Sequence, residues 1–189
     1  MLKAILRGQV RKLERTWNYD AAYAGDLIDL SPWAMIQFGL VAALGHRREA
    51  PAAALAAAGL VGTLAEDCGP CTQISVDMAL AAGVAPAVLQ AILAGDAAAM
   101  GEDAALAYAF AKASLARDME AADPLRDRII ALWGRKGLTA LALALTTARM
   151  YPTLKYALGH GRACSRIQVA GAPAALHRPD ISGPEVMAA

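Results

Sequence analysis

Two cysteines three positions apart, Cys68 and Cys71, stand in the stretch EDCGPCTQISVD with Gly-Pro between them. Residues three apart on a helix are neighbours, so a helix that starts here lets the two sulfurs meet and bridge. Asp67 or Cys68 is the expected N-cap, and Pro70 falls in the first turn, where its missing N–H costs nothing. Amides at a helix start carry partial positive charge, which favours the thiolate, the form that attacks a peroxide or a disulfide. Glu66 and Asp67 act the other way, because a negative neighbour raises a thiol pKa, and no lysine or arginine lies close in sequence. Glu66 is also a candidate local proton acceptor. The pair therefore has three uses: a redox dithiol, half of a zinc site, or two small inert core residues. Zinc needs four ligands; the available completion is His160 with Cys164, in GHGRAC, where Gly159 and Gly161 disfavour a continuous helix. The helix start gives redox chemistry a mechanism and makes it the favoured use. Cys164 alone reads as a core residue.

The elements that must hold the pair are legible in the prolines. Pro32, Pro51, Pro86 and Pro124 each precede an apolar-rich stretch, with Ser31 and Asp123 as N-caps, and Gly45, Gly83 and Gly95 close several segments. Helices are expected near 2–16, 20–29, 32–44, 51–65, 69–82, 86–94, 102–117, 124–134 and 138–150. Tyr151-Pro152 is expected to interrupt the chain before a last piece near 153–160. Leu125, Ile129, Leu132 and Trp133 recur at helical spacing, as do Leu138, Leu141, Leu145 and Ala148. Only SRIQV, at Ser165–Val169, suggests a strand. The expectation is an all-α domain over residues 1–170, followed by a loosely ordered tail at 171–189.

Composition narrows the function classes. The formal charge is +1, from 18 basic and 17 acidic residues, so the clustered basic face of a nucleic-acid binder is missing. Arg7, Arg11, Lys12 and Arg15 form the wet side of a first helix. Hydrophobic residues make up 57% of the chain, yet the uncharged run Ala50–Ala65 is mostly alanine and glycine and shorter than the roughly twenty apolar residues of a spanning helix. It reads as a helix buried among helices. With charges interrupting the first residues before any signal-type core, the expectation is a cytoplasmic protein that binds neither membrane nor nucleic acid and carries no cofactor. A lone CxxC in a reducing compartment points to redox or metal chemistry rather than to a permanent staple.

Other polar and aromatic residues receive plainer readings. His46 sits at a helix end and caps carbonyls or faces water; His160 ends the last helix; His177 is assigned nothing. Trp17, Tyr19 and Tyr23 dock the N-terminal helices on the core or on another subunit. Arg149, Tyr151, Lys155 and Tyr156 line a pocket or form the polar edge of a packed helix. Met78 and Met150 fill the core.

The stretch LAEDCGPCTQISVDMALAAGV, followed by a short Pro-initiated helix, resembles the core of the carboxymuconolactone decarboxylase and alkyl hydroperoxidase D-like superfamily, with its CxxC at a central helix start and a downstream A-x-x-A-G segment. GLTALALALTTARMYPTLKYALGHG resembles the C-terminal helical part of bacterial members. The similarity spans residues 20 to 168 and is strongest over 60 to 95. It implies an all-α helical bundle that assembles as a homo-oligomer. It also implies a dithiol that reduces a small peroxide or exchanges with a thiol/disulfide electron donor. By that resemblance Cys71 meets the peroxide and Cys68 closes the bridge, whereas the helix-start argument makes Cys68 the more acidic thiol. Two positions depart from the family pattern. Ser75 stands where a histidine is expected, and Ala56 where a glutamate is expected. Either Glu66, Asp77 or a distant group such as His160 then replaces the relay, or peroxidase turnover is weak. The alternative is a non-catalytic helical oligomer with a binding or scaffold role; decarboxylase-type activity is the weakest inheritance.

Overall fold

A computed structural model describes residues 1–45, 48–160 and 166–182. It is mostly helical, as expected for an all-α chain. Among the described residues the elements are α1 (Leu2–Trp17), α2 (Ala22–Leu30), α3 (Pro32–Ala42), α4 (Ala52–Ala65), α5 (Gly69–Ala81), α6 (Pro86–Ala94), α7 (Glu102–Leu115) and α8 (Met119–Ala157). A small hairpin of β1 (Gln168–Val169) and β2 (Ala172–Pro173) follows. Ala170 and Gly171, both at positive φ, make its tight turn. Of the expected SRIQV strand, Gln168 and Val169 take strand form, and Ser165 lies outside the described residues.

The alanine-rich run becomes α4, the central helix, with Ala54, Ala57, Ala58, Leu60, Val61 and Leu64 buried. It packs against α7 and α8. Small side chains let the backbones approach closely. A Cβ on Gly62 would lie 3.0 Å from the Leu145 carbonyl and 3.2 Å from the Ala148 Cβ. Leu89, Ile92, Leu106, Phe110, Ile129 and Leu141 complete the core.

α8 departs most from the sequence expectation. It starts at Met119, where Asp118 accepts a bond from the Ala121 amide at 3.0 Å, and not at Asp123-Pro124. Pro124 therefore lies inside the helix, and the carbonyl it leaves unpaired, that of Glu120, belongs to an exposed first turn that water can satisfy. The expected break near residue 134 is present as a kink at Gly134 (φ 70°, ψ 178°). The expected break at Tyr151-Pro152 is not. Pro152 is buried within the helix, which runs on to Ala157. Leu132 and Met78 are exposed rather than core. By length and mean hydropathy α8 is also long and apolar enough to cross a membrane; in this fold it gives Ile129, Leu141 and Leu145 to the core.

The N-terminal helices form a second, smaller cluster. Tyr19, Ala21, Tyr23 and Ala24 are buried against Ile74 of α5 and Leu154 and Leu158 of the α8 end, which realises the docking expected of the aromatic residues on the core of the same chain. Ser31 caps α3, accepting from the Ala34 amide, yet no described side chain of α3 is fully buried. Arg7, Arg11, Lys12 and Arg15 are exposed on α1. Residues 171–182 lie along the bundle: the His177 amide donates to the Leu93 carbonyl at 2.7 Å, and its ring occupies the face of Gly95.

Candidate functional site: a buried dithiol at the start of α5

The turn between α4 and α5 determines everything local. Asp67 takes a left-handed conformation (φ 51°) and Cys68 an extended one as the N-cap of α5, with Gly69 and Pro70 in the first turn. The Thr72 amide and hydroxyl both donate to the Cys68 carbonyl, at 2.9 and 3.0 Å. This short segment turns the two side chains toward one another. Their Sγ atoms share a hydrogen bond of 2.6 Å. Both cysteines are free thiols, Cys68 5% and Cys71 2% exposed.

The two sulfurs differ sharply in acidity. The side-chain contact with Cys71 is the largest influence on Cys68. Burial opposes it, while the Cys71 backbone amide and the Lys155 charge help, against Asp67. The net effect lowers Cys68 to about 7. Cys71 moves strongly upward, through that same bond, burial and the neighbouring charge of Cys68. The two shifts point the same way: the pair ionises once, and Cys68 is the thiol favoured to give up its proton. The helix-start argument, not the order implied by the family resemblance, agrees with this polarity.

Four side chains of α8 surround the turn. Lys155 is 3% exposed, with Nζ 5.1 Å from the Tyr19 ring centroid and 5.7 Å from that of Tyr23. Tyr151 packs edge-on against Phe38 at 5.3 Å. The Tyr156 hydroxyl donates to the carbonyls of Glu66 (3.1 Å) and Asp67 (2.9 Å). The Arg149 Nε donates to Glu66 Oε1 at 2.6 Å. From the C-terminal segment Arg178 reaches Asp67 Oδ1, also at 2.6 Å. Each acid flanking the cysteines is thus matched with an arginine, which removes much of the opposition to a thiolate.

Tyr19 adds a hydroxyl 3.8 Å from Cys71 Sγ. Tyr19, Tyr23 and Tyr151 are all pushed above the ordinary phenol range, chiefly by burial, so they stand neutral beside the sulfurs. The sequence did not connect these residues to the dithiol. Its one signal was a run of polar side chains, Arg149 to Tyr156, on an otherwise apolar helix.

The expected substitutes for the family relay lie elsewhere. Glu66 meets Arg149 rather than a thiol. Ser75 donates to the Cys71 carbonyl at 2.9 Å, Asp77 accepts from Gln73, and His160 pairs with Asp26 at 2.7 Å. Ala56 offers only a methyl group. Among the described residues no group of three or more His, Cys, Asp or Glu is placed to hold a metal. Cys164 and His46 lie outside them. An open cleft of about 440 Å³ bordered by Gly101, Glu102, Leu106, Leu125 and Arg128 contains none of the dithiol residues.

No family model matches the chain, no curated protein matches it, and no solved structure matches it.

Proposed function

We propose that the protein is a dithiol oxidoreductase in which Cys68 attacks and Cys71 resolves. The observation that carries this reading is the 2.6 Å contact between two sulfurs of opposite acidity at a helix start. With a peroxide ROOH, the Cys68 thiolate takes the terminal oxygen and the O–O bond breaks. The alkoxide leaves, gains a proton from solvent and departs as ROH. Cys68 is then a sulfenic acid. The Cys71 sulfur displaces its hydroxyl, which leaves with the Cys71 hydrogen as water, and a Cys68–Cys71 disulfide forms. Exchange with a small disulfide follows the same order, a thiol replacing ROH as the leaving group.

Burial favours small substrates over protein disulfides, since neither sulfur stands at the surface. The same burial supports a second reading, a helical assembly that retains two thiols without using them. The resemblance to alkyl hydroperoxidase D-like proteins supports the first, together with self-association and a reducing, cytoplasmic setting that keeps the dithiol reduced.

The decisive experiment counts free thiols in denatured protein after reduced protein meets one equivalent of hydrogen peroxide. The oxidoreductase reading expects loss of two thiols and an intramolecular disulfide by mass. Cys68→Ser should abolish peroxide consumption, and Cys71→Ser should stop at the sulfenic acid. An unchanged thiol count, with both variants behaving alike, leaves the scaffold reading.

A further inference from the structure

A buried ammonium needs an anion, because leaving water costs far more than neutral contacts return. Lys155 is such a cation, and among the described residues no carboxylate pairs with it. The two acids that flank the cysteines are engaged elsewhere: Glu66 with Arg149 and Asp67 with Arg178. Tyr19 and Tyr23 turn ring faces toward Nζ, which offsets part of the cost as a cation–π contact, but both are neutral. The Tyr19 hydroxyl in turn reaches Cys71 Sγ at 3.8 Å, so one tyrosine touches both the ammonium and the dithiol.

We infer that Lys155 is the resident counter-ion of the Cys68–Cys71 monoanion, a positioning residue that sets how readily the pair is reduced. The inference rests on the dithiol reading proposed above. Oxidation of the monoanion to the disulfide removes two electrons and one proton, and with them the negative charge. Among the described residues Lys155, 3% exposed, then keeps two ring faces and no carboxylate. That cost falls on the disulfide, so the equilibrium with an external thiol shifts toward the reduced form. In exchange with glutathione, the protein S–S bond breaks, two glutathione thiols become one disulfide, and the pair returns as thiol plus thiolate with one proton released.

The groups facing Cys68 from each packed element fix the expected pH response. Around the dithiol these are Asp67 and Lys155, which act on Cys68, with Tyr19, Tyr23, Tyr151 and Tyr156 neutral beside the sulfurs and Glu66 and Asp67 held by Arg149 and Arg178. Among the described residues Lys155 is the buried cation that no acid pairs with.

The test compares wild type, Lys155→Met and Lys155→Arg in two measurements, with folding checked by circular dichroism. The first is the pH midpoint of iodoacetamide alkylation of the reduced protein. Lys155→Met should move it up by about one unit, and Lys155→Arg should restore most of that. The second is the glutathione ratio that half-reduces the disulfide at pH 7 and at pH 9. Lys155→Met should need about twofold more reducing conditions at pH 7, where a thiol with its midpoint near 7 is half ionised, and close to tenfold more at pH 9, one pKa unit being a factor of ten. Equal midpoints and equal ratios in all three proteins overturn the inference while leaving the oxidoreductase intact. A wild type that forms no disulfide, yet whose alkylation midpoint still depends on Lys155, supports the counter-ion assignment and removes the oxidoreductase reading. Should Lys155→Met fail to fold, the wild-type midpoint decides: a value in the ordinary thiol range, near 8.5, overturns it.

Discussion

The Arg149 guanidinium meets the Glu66 carboxylate at 2.6 Å directly beside the start of α5. The contact joins the last third of α8 to the turn that carries the cysteines, and two guanidinium nitrogens meet the same carboxylate oxygen, Oε1. A carboxylate paired in this position orders the turn. Glu66→Gln should therefore leave peroxide-driven thiol loss within about twofold of wild type. It should cost on the order of 1 kcal/mol in urea unfolding, as expected for a partly exposed ion pair. Abolished thiol loss in this variant would restore Glu66 as the proton acceptor.

The pH dependence of thiol reactivity follows from the direction of the two shifts. Cys68 is protonated below about 7 and ionised above it. Alkylation should rise about tenfold per unit below pH 6 and level off above pH 8, since only the thiolate reacts. Cys71→Ala removes the side-chain hydrogen-bond partner of Cys68 and so should move the midpoint of Cys68 upward, because that contact is the largest stabilising influence. A midpoint unchanged by this substitution would separate the acidity of Cys68 from its neighbour.

Close approach of α4 and α8 holds the site together from behind. Gly62→Val would put side-chain atoms against the Leu145 carbonyl, the Ala148 Cβ and the Arg149 Cγ, the last 3.3 Å from a Cβ at this position. Because the nearest atom is backbone, the helices must separate rather than a side chain turn aside. The expected loss is about 2–3 kcal/mol by denaturant titration. Separation also draws Arg149 from Glu66, so alkylation of the cysteines should speed up in the folded variant. A stability equal to wild type would mean that α8 shifts freely.

Self-association, expected from the family resemblance, has a surface available to it. Leu30, Trp33 and Leu40 expose 78, 69 and 68% of their area along the end of α2 and α3, more apolar area in one place than a scattered surface residue would account for. Sedimentation at micromolar concentration should find a multimer that Trp33→Ser with Leu40→Ser converts to smaller species. A monomeric wild type ends that expectation.

How much of this was legible in the residues depends on the range of the forces involved. The all-α character, most helix starts and the encounter of Cys68 with Cys71 are local: a proline, a cap or a spacing of three acts within one turn of helix. Pro124 and Pro152 misled because each was read by its own preference. An internal proline costs about 3 kcal/mol or more in a helix, and at Pro152 burial along α8 outweighs that cost, so the helix continues. That continuation carries Lys155 and Tyr156 to the dithiol. No local rule links Lys155 to Cys68 or Arg149 to Glu66 across the intervening helices. The sequence by itself determined that two thiols would meet at a helix start. Packing of α8 and the N-terminal tyrosines decided that they would be buried, beside a cation, with one sulfur acidic and the other not. Desolvation and charge act through space rather than along the chain, and only the folded arrangement specifies them.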